Sequence, residues 1–123
     1  HTEVARLLIS SGAAVNQATT DYGATPLYIA AQESRTEVVQ LLISSGAAVN
    51  QAKTDSGTTP LFVAAEKGHV EIVNLLIGGA AAVNQAATDY GTTPLFVAVL
   101  KGHTVVVSLL ISSGAAVNQA RTY

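Results

Sequence analysis

The side chains best suited to acid–base or metal chemistry are His69 and Glu71, which stand in the order His-x-Glu. This order is one half of the zinc deaminase signature, in which the histidine binds zinc and the glutamate moves protons. The other half requires two cysteines, and the chain contains none. A second histidine, His103, occupies the same place 34 residues later, which indicates a structural position between repeats. We therefore expect no metal, no cofactor and no catalytic residue.

Three aspartates, Asp21, Asp55 and Asp89, recur at the same interval and could form a row of carboxylates for a cation. Stacked repeats would hold them about 10 Å apart. A cation binds oxygens at about 2.4 Å, so two of these carboxylates could not share one ion. Aspartates that form turns explain the series better. The serine pairs 44–45 and 112–113 have no repeated histidine or acid beside them, and we predict that the chain is not an enzyme.

The composition argues against several other classes of protein. Of the 123 residues, 49% are apolar and 11% are charged, which is typical of a folded protein and not of a disordered one. The net charge of −2 is small, whereas binding to nucleic acid needs a basic stripe. No apolar run approaches the roughly 18 residues of a membrane span, and the signal-peptide pattern is missing. We expect an intracellular, cytoplasmic protein with neither a nucleic-acid nor a membrane partner.

A block of ten residues occurs three times at a constant spacing. It reads GATPLYIAAQ from Gly23, GTTPLFVAAE from Gly57 and GTTPLFVAVL from Gly91. The complete repeat is 34 residues long and contains two short helices. Such a unit cannot bury its own apolar face, so the repeats must stack. The whole chain, 1–123, is then a single array, divided into a partial repeat (1–23), two full repeats (24–57 and 58–91) and a near-complete repeat (92–123).

The local chemistry of one repeat predicts two helices and a turn. A threonine hydroxyl followed by proline caps the start of the first helix, at Thr25, Thr59 and Thr93. Gly68 and Gly102 suit the left-handed residue that ends this helix. The second helix, as in Val70–Ile77, carries an apolar stripe on one side. Gly46 and Gly114 close its equivalents in two other repeats.

Two helix ends depart from this scheme. Ser34-Arg35 stands where later copies have Gly-His, so we expect the first helix end to be less stable by up to ~1 kcal/mol. Gly78-Gly79-Ala80 stands where the other copies read Ser-Ser-Gly. Because alanine is strained in a left-handed conformation, we expect the bend to move onto Gly79.

The motifs TPLYIAA, TPLFVAA and TPLFVAV, followed by GHVEIVNLLI or GHTVVVSLLI and then by GAAVN, resemble those of ankyrin repeats. The resemblance covers nearly the whole chain. It implies an all-α ankyrin-repeat solenoid of stacked helix-turn-helix units joined by β-hairpin-like finger loops. It also implies a protein–protein interaction module, in which finger loops and first helices line a concave face that binds a partner protein.

The sequence departs from the ankyrin pattern at three points. Tyr28, Phe62 and Phe96 replace the signature histidine, so its hydrogen bond to threonine cannot form. These aromatic residues could stack on nucleic-acid bases, but packing between repeats explains one aromatic residue per repeat better. The usual Gly-Ala-Asp-Val-Asn loop lacks its aspartate here. The period is 34 instead of 33, and the additional residue falls in the finger loop, where we predict a longer tip with a bulge.

Residues that differ between copies are the candidates for partner binding, because stacking does not fix their identity. Tyr22 and Tyr90 are the strongest anchors, since tyrosine offers a large contact area at a low entropy cost. The candidates lie in the fingers (Asp21, Tyr22, Ala24, Lys53, Ser56, Thr58, Tyr90 and Thr92) and at the ends of first helices (Gln32, Glu33, Glu66, Lys67, Leu100 and Lys101). The alternative for each residue is an unconstrained surface position.

The last repeat is more apolar than the others, with Val105 in place of a glutamate and Leu100 in place of a glutamine or glutamate. Terminal repeats usually present a polar outer face. The chain is then either a piece of a longer array or a protein that associates head to tail through Leu100, Val105 and Val106. A structural or engineered repeat scaffold without a dedicated partner is the alternative to an interaction module.

Overall fold

The chain folds into consecutive helical hairpins. The computed structural model describes residues 23–88 and 91–115, and these residues form six α-helices and no β-strand. The helices occur in pairs: α1 (Pro26–Gln32) and α2 (Thr36–Ser44), α3 (Pro60–Lys67) and α4 (Val70–Gly78), α5 (Pro94–Lys101) and α6 (Thr104–Ser112). The predicted two-helix unit and its all-α class are confirmed. The division of the chain into one partial, two full and one near-complete repeat stays a prediction.

Each first helix begins at its Thr-Pro pair, as predicted. The hydroxyl oxygens of Thr25, Thr59 and Thr93 accept hydrogen bonds at 3.1–3.2 Å from the backbone N–H three residues later. The prolines occupy the first helical position, where no N–H is needed. All three threonines are buried, so water does not compete for these bonds. The helix start is therefore fixed at the same residue in each repeat.

The first helices are followed by a residue with left-handed backbone. Gly68 (φ 74°) and Gly102 (φ 76°) fill this position as predicted, and Ser34 takes it in the first hairpin with φ 60°. A Cβ atom raises the energy of this conformation, which supports the predicted weaker end of α1. Gly68 has a second constraint, because a Cβ there would lie 2.6 Å from the ring of His103 in the next repeat.

The expectation that the bend after α4 moves onto Gly79 is wrong. Ala80 is the left-handed residue, at φ 70°, and Gly79 has φ −86°. The hydrogen bonds beyond the helix explain this, since the N–H of Ala81 bonds to the carbonyl of Leu76 at 2.9 Å, as its equivalent does in the preceding repeat. Gly79 also lies against Ile43 of that repeat. Stacking therefore keeps the turn in register and overrides the local preference of alanine.

The hairpins stack so that equivalent helices pack on one another. The first helices α1, α3 and α5 form one layer, and the second helices α2, α4 and α6 form the other. Along α4, Ile72, Val73 and Leu76 are buried while Glu71 and Asn74 are exposed, as the apolar stripe predicts. Burial of one such side chain stabilises the fold by about 1.5–3 kcal/mol. Within the described ranges no helix exceeds nine residues, and none could cross a membrane.

Two histidines connect neighbouring repeats. The ring nitrogen Nδ1 of His69 donates to the carbonyl oxygen of Ala31 at 3.0 Å, and Nε2 of His103 donates to that of Glu66 at 2.9 Å. Both carbonyls lie in the last turn of the preceding first helix, where the helix itself leaves acceptors unsatisfied. The interpretation of these histidines as structural residues between repeats is confirmed.

The chain between α2 and α3 forms a tight finger loop. The N–H of Lys53 bonds to the carbonyl of Thr58, and the N–H of Gly57 bonds to the carbonyl of Lys53, both at 2.9 Å. Two residues, Gly57 and Thr58, therefore lie opposite a single residue, Lys53, and Gly57 has φ 70°. This arrangement is a glycine bulge, so the additional residue is accommodated as predicted.

The next finger repeats this arrangement. The N–H of Ala87 bonds to the carbonyl of Thr92 at 2.8 Å, and the N–H of Gly91 bonds to the carbonyl of Ala87 at 3.0 Å. The two fingers are also joined directly, because the N–H of Thr88 donates to the carbonyl of Ser56 at 3.0 Å. The described backbone hydrogen bonds of these two fingers are thus equivalent, and one bond links the fingers to each other.

Candidate interaction surface

The ends of the three first helices present chemically different side chains at equivalent places. Gln32 and Glu33 are exposed at the end of α1, and Lys67 is exposed at the end of α3. At the end of α5, Leu100 is 69% exposed and Lys101 is exposed. The remaining candidate at these ends, Glu66, is half-buried and its carbonyl accepts the bond from His103. Five of the six predicted helix-end residues are therefore exposed.

The described finger candidates are less accessible than the helix ends. Lys53, Ser56, Thr58, Ala24 and Thr92 are all half-buried. Three further candidates, Asp21, Tyr22 and Tyr90, lie outside the described residues, as does Asp89 of the aspartate series. Among the described candidates, the helix-end residues are therefore more exposed than the finger residues.

The finger between α2 and α3 contains a network of side chains that reaches Tyr28 in α1. The hydroxyl of Tyr28 lies 3.1 Å from that of Thr58, and the hydroxyl of Thr58 lies 2.8 Å from that of Ser56. The ammonium group of Lys53 lies 5.3 Å from the centre of the Tyr28 ring and 3.6 Å from the carboxylate of Asp55. Lys53 thus combines a cation–π contact with an ion pair.

Sequence reasoning assigned Tyr28 to packing alone and missed its contact with the finger. The packing role holds, because the Tyr28 and Phe62 side chains are buried and Phe96 is half-buried. The missed signal was the hydroxyl group, which Tyr28 has and the equivalent phenylalanines lack. A threonine at position 58, in the next finger, could have been recognised as its partner.

Four large apolar side chains are exposed in the last described hairpin. Val99, Leu100, Val105 and Ile111 have exposed fractions of 60%, 69%, 56% and 48%. The expectation that Val106 shares this surface is wrong, because Val106 is fully buried. It stands in α6 where Ile72 stands in α4, and Ile72 is also buried, so the side chain of Val106 points into the stack.

The described part of the chain contains no cluster of metal-ligating side chains. No group of three histidine, cysteine, aspartate or glutamate side chains could hold a metal ion in residues 23–88 and 91–115. The hydroxyls of Ser44, Ser112 and Ser113 each donate at 2.7–2.9 Å to a backbone carbonyl four residues earlier, which gives them a local structural role. An open depression on the surface is lined by residues 34–38, which include Arg35 and Glu37.

Helical hairpins that stack in register, with a capped start and a left-handed end, define a helical-repeat protein. A family model described as ankyrin repeats, in three copies, matches residues 1–53 and 48–121. The match covers nearly the whole chain, and the chain belongs to the ankyrin-repeat family. A search of curated proteins finds no match to this sequence. Ankyrin repeats generally act as protein–protein interaction modules and are typically not enzymes.

Proposed function

We propose that this chain is a non-catalytic module that binds a partner protein on the concave face made by its finger loops and first helices. Family membership supports the general role, and the accessible helix ends support this particular face. Ankyrin repeats commonly act inside cells, and we propose a cytoplasmic location for this one.

The observation that carries the proposal is a change of charge at one exposed position on a repeating backbone. Glu33, Lys67 and Lys101 are equivalent by the 34-residue period, and all three are exposed. Glu33 directly follows α1, and Lys67 and Lys101 are the last residues of α3 and α5, so all three stand at the end of a first helix. Stacking does not account for an acid in one repeat and a base in the next two. Exposed charges of opposite sign at fixed spacing favour one partner and one orientation over others.

A comparison with the second helices sharpens this argument. One exposed set of equivalent positions there, Gln40, Asn74 and Ser108, is uncharged and polar in each repeat, and another, Glu37, Glu71 and Val105, is acidic in two repeats and apolar in the third. A reversal of charge sign between repeats therefore occurs at the first-helix ends and at neither of these second-helix sets. This contrast favours the first-helix side as the surface that distinguishes partners.

The experiment compares two double variants of the full chain that differ in the layer they alter. The immobilised protein captures partners, and the affinity of a captured, purified partner is measured by titration calorimetry. The Lys67→Ala/Lys101→Ala variant should weaken binding by at least tenfold, because each lysine lies in the proposed interface. The matched Gln40→Ala/Asn74→Ala variant should bind within about twofold of the original chain.

Two outcomes would contradict the proposal. Equal losses in both double variants would remove the first-helix side as the binding face. A chain that captures no protein in stoichiometric amounts would favour the alternative, a structural or engineered scaffold without a dedicated partner.

A second candidate function is self-association through the last hairpin. It is favoured by the exposed apolar side chains of Leu100 and Val105, which stand where the other repeats have polar or acidic residues. A second copy that contacts them head to tail would remove this apolar surface from water.

A further inference from the structure

We propose that the hydroxyl group of Tyr28 is a positioning group, which holds the finger at residues 53–58 in place before a partner binds. The inference rests on the proposed function, because it assigns the finger to the binding face. It concerns one finger only, since the equivalent residue in the next repeat is Phe62.

The contact joins two different repeats. Tyr28 lies in α1, and its hydroxyl is 3.1 Å from the hydroxyl of Thr58, which lies beyond the tip of the following finger. Tyr28 itself is buried, with 7% of its surface exposed. The Thr58 hydroxyl is also 2.8 Å from that of Ser56, so a chain of three hydroxyls runs from the helix to the finger.

A second contact acts on the same finger from its other side. The ammonium group of Lys53 lies over the Tyr28 ring and beside the carboxylate of Asp55. The finger residues 53 and 58 also pair through their backbone. Tyr28 therefore contacts both sides of the base of this finger, through its ring on one side and its hydroxyl on the other.

The next finger has the same backbone but lacks this pair of groups. Phe62 occupies the place of Tyr28 and is equally buried, at 8% exposed, but it carries no hydroxyl. Ala87 occupies the place of Lys53 and carries no charge. Thr92, which stands where Thr58 does, is retained. The two fingers can therefore be compared within one chain, because the first has the tyrosine contact and the second can acquire it by a single substitution.

A finger held in advance raises affinity because less conformational entropy is lost when the partner binds. Ordering of the finger is a property of the free protein, so it can be measured without a partner. The backbone N–H groups of Lys53 and Gly57 report on the first finger, and those of Ala87 and Gly91 report on the second, since all four are hydrogen-bonded within their finger.

The test is amide hydrogen exchange, followed by NMR, in the full chain and in two variants. In Tyr28→Phe, the exchange of Lys53 and Gly57 should become about fivefold faster, which is the fold-change for one hydrogen bond worth about 1 kcal/mol. Exchange of Ala87 and Gly91 should stay the same. Because phenylalanine fills the equivalent place in the next repeat, this variant should fold.

The second variant, Phe62→Tyr, places a hydroxyl within reach of Thr92 by the repeat symmetry. Exchange of Ala87 and Gly91 should then become slower by a similar factor, while that of Lys53 and Gly57 stays the same. Equal acceleration of both fingers in Tyr28→Phe, or no acceleration of either, would overturn the positioning role. A partner-binding experiment that fails while these exchange rates change as expected would contradict the proposed function and leave the positioning role intact.

Discussion

Gly68 and Gly102 allow the contribution of inter-repeat packing to stability to be separated from that of backbone conformation. Both follow a first helix, and their φ angles of 74° and 76° are nearly equal. A Cβ at Gly102 would meet no atom within 4 Å, whereas a Cβ at Gly68 would lie 2.6 Å from the His103 ring. Replacement by alanine therefore adds the same backbone strain at both sites and adds a steric clash at only one.

The expected magnitudes follow from this difference. Gly102→Ala should lower the free energy of unfolding by about 1–2 kcal/mol, the cost of a Cβ in the left-handed region. Gly68→Ala should lower it by a further 2–4 kcal/mol or so, because the ring must move and lose its 2.9 Å bond to the carbonyl of Glu66. Urea denaturation of the full chain measures both values, provided that the slope with urea is the same in each variant.

A double-variant cycle checks the assigned cause. When His103→Ala removes the ring first, Gly68→Ala should cost no more than Gly102→Ala does, so the effects of the two substitutions should be strongly non-additive. Equal costs for the two glycine variants in the original chain would refute the reasoning. So would a Gly68→Ala cost that is unchanged by removal of the ring.

Three further predictions concern helix ends and the exposed apolar surface. Thr59→Ala should lower the free energy of unfolding by about 1–2 kcal/mol, because a buried cap is lost, and Thr59→Ser should retain most of it in the same urea experiment. Ala80→Gly should raise it by up to ~1 kcal/mol, since strain at φ 70° is relieved, and a less stable variant would contradict this. If self-association occurs, the sedimentation coefficient of the original chain should rise with concentration, whereas Leu100→Gln/Val105→Glu should stay a monomer. An original chain that stays monomeric at high concentration would rule this association out.

Features that depend on local chemistry could be predicted from the sequence. The Thr-Pro pairs determine where first helices begin, and Gly68 and Gly102 determine where they end, because few residues suit these positions. His69 and His103 could be assigned to a contact between repeats because they recur with the period. These features need only the identity of one or two residues and their spacing.

Features that depend on the stack could be predicted less well. Ala80 adopts a left-handed conformation because the hydrogen bonds beyond α4 must match those of the preceding repeat, and no local rule contains that requirement. In α6, Val105, Val106 and Val107 are all apolar, so the pattern of residue types does not indicate which side of the helix faces inward. Alignment of Val106 with Ile72 was the available signal, and it correctly indicates burial.

The candidate surface could also be predicted only in part. Differences between repeats were taken to mark positions that stacking does not constrain. Glu33, Lys67 and Lys101 fit this idea, since they differ and are exposed. Thr58 differs from Ala24 and yet is half-buried and bonded to Tyr28, so it takes part in a contact between repeats.

Variation between repeats therefore has two physical origins, which burial distinguishes. A residue that varies and is exposed, such as Lys67, affects only what meets the surface. A residue that varies and is buried, such as Tyr28 in place of Phe62, changes how one repeat holds the next. Because the hydroxyl of Tyr28 contacts the finger at residues 53–58, a partner that binds this finger would respond to a buried group that it never touches. Affinity in such an array would then depend on buried contacts between repeats as well as on the exposed side chains.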